Sequence, residues 1–336
     1  MAFSAFAASY AAVPLAAIAA AAVALVKGGP RQPEPLESIN APFKEVDFSD
    51  LPALRRYTAR DGASLAWRAY LPQAGASQAC VVLIHGSSAS SASLHPLARQ
   101  FAAAGYAACV PDVRGHGESG RKGTIAYIGQ LEDDLEDLLA ALPAELAALP
   151  KTLIGFSSGG GFALRFAGSA RQRLFERYVL LAPFLHHKAR TTRNEVGGWV
   201  SVGIPRLVVL AMLNGLRIRV FNHLPTIAYA LAPEVRDELT PQYSFNLMQN
   251  FRPHDDYRAD IRGARQPLHV LAGTEDEVFH AGEYAAAFEE AGAHVPVTLV
   301  PGSGHIGLTL DAPAIATIVG CVKSCVKPCV KPCVQP

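Results

Sequence analysis

The sequence predicts an α/β fold: a mostly parallel, doubly wound sheet with one inserted helical cap. Three observations carry this. Short apolar runs alternate with helix-length amphipathic stretches through residues 56–183, the pattern of buried parallel strands joined by helices. The alternation stops over 184–261 and resumes over 262–320. With 336 residues, 50% hydrophobic and 18% charged, the chain can bury one large core and is too apolar to stay disordered.

Residues 1–26 carry no charged side chain and are followed by Lys27 and Arg31. At ~1.5 Å per residue this stretch can cross a hydrocarbon core of ~30 Å. The expectation is membrane association through a single N-terminal anchor, with its side left open because two flanking charges are a thin basis. The alternative is a signal peptide cleaved near Ala22, Val23 and Ala24, which would make the body secreted or periplasmic. Residues 28–55 hold several prolines and no sustained period of 2 or 3.6, and are expected to be a linker.

The core then begins with an antiparallel pair, 56–58 and 65–70, around the turn Asp61, Gly62. Strands follow at 81–84 and 107–110, with a helix at 96–104 between them. A helix over about 125–142 places Leu131, Leu135, Leu138 and Leu139 on one face and most of its acids on the other. A strand ends at Ile154, and another spans 178–181. After the cap come a strand at 268–271, a helix at about 281–291, a strand at 295–300 and a last helix at about 313–322. Residues 321–336 repeat as CVKS, CVKP, CVKP, CVQP, putting Cys321, Cys325, Cys329 and Cys333 four apart. The prolines forbid a helical face of thiolates and no tight CxxC pair is present, so a low-complexity tail is expected rather than a metal site. Cys80 and Cys109 stand alone in strand-like runs and leave the redox compartment open.

Thirty basic residues against 29 acidic ones, with no basic block outside the tail, argue against a nucleic-acid partner. Chemistry concentrates elsewhere. Gly155, Phe156, Ser157, Ser158, Gly159 match GxSxG between an apolar strand and a helical run. Glycines two before and two after a serine permit a tight, strained turn that exposes its hydroxyl at the C-terminal end of the sheet. Ser157 has both glycines at those offsets and Ser158 does not, so Ser157 is the candidate nucleophile and Ser158 a backbone N–H donor to an oxyanion.

A serine hydroxyl needs a base, and the base an acid behind it. His305 follows the strand at 295–300 and Asp276 follows the strand at 268–271, each on the sheet edge that carries Ser157. Glu275 and Glu277 flank Asp276 and are rivals for its role; Asp276 is preferred. The second oxyanion donor is expected from the loop His85, Gly86, Ser87, Ser88, at the Ser87 N–H, with His85 structural. The segment PDVRGHGES at 111–119 lacks a GK[ST] ending and enough metal ligands, and is expected to be a structural turn.

Together, HG after the third strand, PDVRGHGES, GFSSGG, GTEDEV and GSGH resemble the α/β-hydrolase superfamily, and within it the lysophospholipase and monoacylglycerol-lipase-like, serine aminopeptidase-like group. The resemblance covers roughly residues 65–318. It implies the α/β-hydrolase fold, the triad Ser157, Asp276 and His305, oxyanion donors at Ser87 and Ser158, a small-molecule or lipid ester as substrate, and neither metal nor organic cofactor. Phe156 and Ser158 depart from the residues usual beside the nucleophile, which bears on specificity and not on chemistry. Two other readings remain: a peptidase or thioesterase on the same triad, for which the cap acids Glu195, Glu234, Asp237 and Glu238 decide nothing, and a non-catalytic tethered binding protein.

Overall fold

A computed structural model describes residues 16–73, 75–194 and 198–324. Eight strands form the main sheet: β1 (Arg55–Thr58), β2 (Ser64–Tyr70), β3 (Cys80–Ile84), β4 (Ala107–Pro111), β5 (Lys151–Phe156), β6 (Arg177–Leu181), β10 (Leu268–Gly273) and β11 (Val297–Val300). Their order is β1-β2-β4-β3-β5-β6-β10-β11. β1 and β2 run antiparallel, and every pair from β4 to β11 is parallel. Every residue of β3 and β4 is buried, as expected of strands covered on both faces. The antiparallel pair folds back at Asp61 and Gly62, whose φ of 84° suits glycine.

Crossover helices follow the predicted order, with shifted ends. The first spans His95–Ala103 and the second Gln130–Ala141. The second starts later than its apolar spacing suggests, because Gly129 sits at φ 108° and ends the preceding turn. Its Asp134 is not on a solvated face: buried, it accepts from Arg114 Nη2 at 2.6 Å and Nε at 2.8 Å. In the same loop Asp112 accepts the Ser91 N–H at 2.7 Å and the Glu118 N–H at 2.9 Å. Residues 111–119 therefore brace themselves, the second helix and the loop after β3.

The insertion carries a helix, Ile204–Gly215, and beyond the expected helices a three-stranded antiparallel sheet: β7 (Val200–Val202), β8 (Pro225–Tyr229) and β9 (Gln242–Ser244). β7 and β9 are three residues each, too short to show an alternation in sequence. Residues 28–55, expected to be a linker, are fastened to the rest instead. Leu36 N–H donates to Ala230 O at 3.0 Å, and the Asn40 side chain donates to Ala230 O at 3.0 Å. A short helix, Glu37–Asn40, carries the second of those anchors, and a 3₁₀ turn, Ala41–Glu45, follows it before β1.

The expectation of a membrane-anchored N-terminal segment is corrected. Among the described residues no helix is long and apolar enough to cross a membrane. Residues 1–15 lie outside the described residues; the helix described through 16–27 ends against the insertion, where Arg206 donates to Leu25 O at 2.9 Å and to Val26 O at 3.1 Å. An alanine-rich run with few large side chains has little hydrophobicity to spend in a bilayer. The tail's Cys325, Cys329 and Cys333 lie outside the described residues, as do Glu195–Gly197.

Candidate active site

The turn between β5 and the helix Ser158–Ala167 is a single residue, Ser157, at φ 54° and ψ −117°. Such a backbone costs on the order of 1–3 kcal/mol and persists only where its surroundings hold it. They do: Ser157 N–H donates to Leu181 O at 2.9 Å, and Ser157 O accepts from Gly161 and Phe184 N–H, each at 3.0 Å. The flanking glycines are needed for space. A Cβ on Gly155 would collide with the Gly159 carbonyl, and one on Gly159 with the His85 carbonyl.

His305 Nε2 lies 3.1 Å from Ser157 Oγ, and His305 Nδ1 lies 2.8 Å from Asp276 Oδ2. All three side chains are buried. The other carboxylate oxygen of Asp276 accepts from Val278 N–H at 2.8 Å and Phe279 N–H at 2.7 Å. Burial works to raise the Asp276 carboxyl, but the adjoining His305 ring and these two N–H groups outweigh it and hold the pKa below its ordinary 3.8. An ionised Asp276 accepts a hydrogen bond from Nδ1–H, which leaves Nε2 free to accept from the serine. Of its two rivals, Glu275 is exposed, while Glu277 Oε2 accepts the His305 backbone N–H at 2.9 Å and so fixes the histidine loop. The His305 ring rests between Phe156 and Phe279, with ring centroids at 4.8 and 5.2 Å.

Ser158 opens its helix, so its N–H has no intrahelical acceptor and points with the positive end of the helix dipole. The Ser87 N–H, a candidate donor, is oriented through its neighbour. Val113 N–H donates to His85 Nε2 at 3.1 Å, so the ring proton is on Nδ1, which donates to Gly86 O at 2.8 Å. Across a trans peptide the carbonyl and the following N–H point oppositely. Holding the Gly86 carbonyl against His85 therefore turns the Ser87 N–H away from it. Burial pushes the His85 pKa down, keeping this ring neutral.

The next residue, Ser88, has φ 69° and is held from the insertion. Its N–H donates to the Tyr243 hydroxyl at 2.6 Å, its Oγ–H to Thr240 O at 2.6 Å, and its carbonyl accepts from Thr240 N–H at 2.9 Å. Tyr243 OH in turn meets His116 Nε2, while His116 Nδ1 lies 3.1 Å from Val113 O. Burial holds His116 far below its ordinary pKa, so it stays neutral and accepts from the tyrosine. Sequence reasoning missed Thr240 and Tyr243; nothing local marks them, because their partner is more than 150 residues away in the chain.

Ser157 and His305 border a cavity of about 540 Å³. Trp199, Leu231, Val235 and Leu239 of the insertion form one side, and Ile39, Phe43, Phe48 and Leu51 of the N-terminal segment another. Trp199 Nε1–H donates to Ser87 Oγ at 3.1 Å, tying this side to the oxyanion loop. Among the described residues no cluster of His, Cys, Asp and Glu is arranged to hold a metal ion.

Residues 75–309 match the family model described as serine aminopeptidase, S33. Monoacylglycerol lipase of Mycolicibacterium smegmatis is 35% identical over 92 residues, covering 27% of this chain and 32% of that protein. The chain thus spans about a third of that lipase's length. Human ABHD14B is 30% identical over 165 residues, 48% of this chain and 75% of that protein. Among solved structures, monoglyceride lipase of Saccharomyces cerevisiae superposes with a TM-score of 0.58 at 19% identity, over 81% of this chain and 94% of the other. Sheet order, elbow and family match agree: the chain has the α/β-hydrolase fold and belongs to the serine aminopeptidase, S33 family.

Proposed function

We propose that this chain is a serine hydrolase that cleaves carboxylic esters, of acylglycerol or lysophospholipid type, through an acyl-enzyme. One observation carries the reading: His305 Nε2 lies 3.1 Å from Ser157 Oγ while its Nδ1 lies 2.8 Å from Asp276 Oδ2, at the edge of a largely apolar cavity. Ser157 attacks the ester carbonyl as His305 Nε2 takes its proton. The oxyanion forms between the Ser87 and Ser158 N–H groups, a stabilisation of roughly 3 kcal/mol per donor. Collapse breaks the bond to the alcohol, which leaves with the proton from His305. Water then enters, gives a proton to His305 and attacks the acyl group; the acid departs and Ser157 recovers its proton.

Incubating the full chain with a fluorophosphonate probe tests this. Labelling that vanishes in Ser157→Ala, with turnover of p-nitrophenyl esters by the wild type alone, is the expected result. A folded wild type that neither labels nor turns over sinks the proposal and leaves the binding-protein reading. Glu234 and Glu238 border the same cavity and favour a second reading, a peptide with a free amino terminus. Aminoacyl p-nitroanilides cleaved faster than the esters would select it.

A further inference from the structure

The family-matching stretch begins at residue 75, yet one side of the cavity beside Ser157 is built by residues that precede it. Ile39, Phe43, Phe48 and Leu51 supply apolar surface there, with Asn40 and Lys44 beside them. The segment that carries them is tied down on both sides of the cavity. Toward the insertion, Asn40 acts as a clamp: its Nδ2 donates to Leu36 O at 2.7 Å and Ala230 O at 3.0 Å, and its Oδ1 accepts from Ala232 N–H at 3.3 Å. Toward the core, Asp50 Oδ1 lies 2.9 Å from Nε2 of the fully buried His95, whose Nδ1 is 3.0 Å from Tyr70 OH. Arg99 adds a pairing to Asp50 at 3.3 Å. Between these anchors Phe48 stands 37% exposed, with its ring 6.1 Å from that of His95. A bulky phenyl held in place but left part-covered is surface that an apolar ligand can cover.

We propose that residues 39–51 are a specificity-determining wall of the acyl pocket, with Phe43 and Phe48 setting the size of acyl chain that reaches Ser157. This rests on the ester-hydrolase reading above. The acyl group is the part assigned to the cavity because of the order of events: it stays on the enzyme through both steps, whereas the alcohol leaves and water replaces it. An apolar enclosure that held the alcohol would hinder that exchange. The wall excludes chains it cannot accommodate and covers those it can, and each methylene gained or lost in such a pocket changes kcat/KM by roughly tenfold or more.

The test uses the full chain and p-nitrophenyl butyrate and palmitate, measured on one preparation of each variant so that the fraction folded cancels from the ratio. Phe43→Ala and Phe48→Ala are expected to raise the palmitate-to-butyrate ratio of kcat/KM about tenfold. Phe43→Trp is expected to lower it, and Asn40→Ala, which frees the wall from the insertion, to flatten the dependence on chain length. Wild-type ratios in all four variants, with wild type labelled by fluorophosphonate, overturn the wall and leave the hydrolase reading intact. A wild type that neither labels nor turns over removes both.

Discussion

Replacing Asp276 by Asn is the sharpest perturbation of the proposed site, because the geometry dictates which way the amide must turn. Asp276 Oδ1 accepts hydrogen bonds from two buried backbone N–H groups, those of Val278 and Phe279, and Oδ2 accepts one from His305 Nδ1–H. Asparagine offers one oxygen. Turning it toward His305 would set the NH₂ against two N–H donors, and each buried donor left unsatisfied costs roughly 1–3 kcal/mol. The oxygen therefore stays with the two N–H groups and the NH₂ faces His305. Nδ1 must then accept, its proton moves to Nε2, and Nε2 can no longer take the proton of Ser157. The expected loss in kcat is about 10⁴-fold, or roughly 5.5 kcal/mol of barrier. Ester turnover normalised to folded protein, judged by thermal unfolding, measures it. Glu275→Gln, which changes an exposed side chain, is the matched control and should turn over as wild type does. An Asp276→Asn enzyme within about tenfold of wild type would refute the argument that Asp276 sets the histidine tautomer.

Tyr243→Phe deletes the acceptor of the Ser88 N–H and should lower stability by about 1–3 kcal/mol while reducing kcat more than it raises KM; unchanged kcat would show that the oxyanion loop holds its shape without the insertion. Gly155→Ala should abolish turnover or folding, since a Cβ there meets the Gly159 carbonyl; an active, soluble variant would mean that the elbow relaxes more than its geometry allows. Stability against pH should fall in two stages. His85 and His116 are held below the ordinary 6.5, so the unfolded chain binds protons first and stability declines once pH drops beneath that value. Asp276 is held below the ordinary 3.8, so its contribution is complete above that value and is lost as pH falls further through its folded pKa; urea midpoints of wild type and Asp276→Asn should converge in this lower window. Parallel midpoints of the two proteins down to the lowest pH would contradict it.

What could be read from residues alone followed how local each constraint was. The elbow was legible because its demands lie within five residues: a strand, two glycines with no room for a Cβ, and a helix start. Asp276 stood among three acids, and reach separates them. Its short side chain folds back on the N–H groups two and three positions ahead while facing His305, whereas the longer Glu277 extends to the His305 backbone instead. The fastening of the N-terminal segment is not legible in sequence for the converse reason. Ile39, Phe43, Phe48 and Leu51 follow the contour of a cavity and not a helix or a strand, so their spacing has no period to detect. β7 and β9 of the insertion carry the same difficulty, since three residues cannot display an alternation.

The contacts around Ser88 join the insertion to the chemistry more closely than a lid over a pocket requires. Thr240 holds both the carbonyl and the hydroxyl of Ser88, and its own Oγ1 donates to Gly115 O at 3.0 Å in the brace at 111–119. Tyr243 bridges Ser88 N–H and His116 of that brace. On the far side of the same short loop His85 holds the Gly86 carbonyl. The peptide that carries the Ser87 N–H is thus gripped from the core before it and from the insertion after it, and a preorganised donor is worth most when nothing moves at the moment charge appears. Displacing the insertion should therefore disturb the rate of acylation before it disturbs substrate uptake. A paired measurement separates the two: Tyr243→Phe, which removes the side-chain acceptor of the Ser88 N–H, is expected to slow fluorophosphonate labelling at saturating probe while leaving the half-saturating concentration within about twofold, a split between rate and binding that mere loosening of the pocket would reverse.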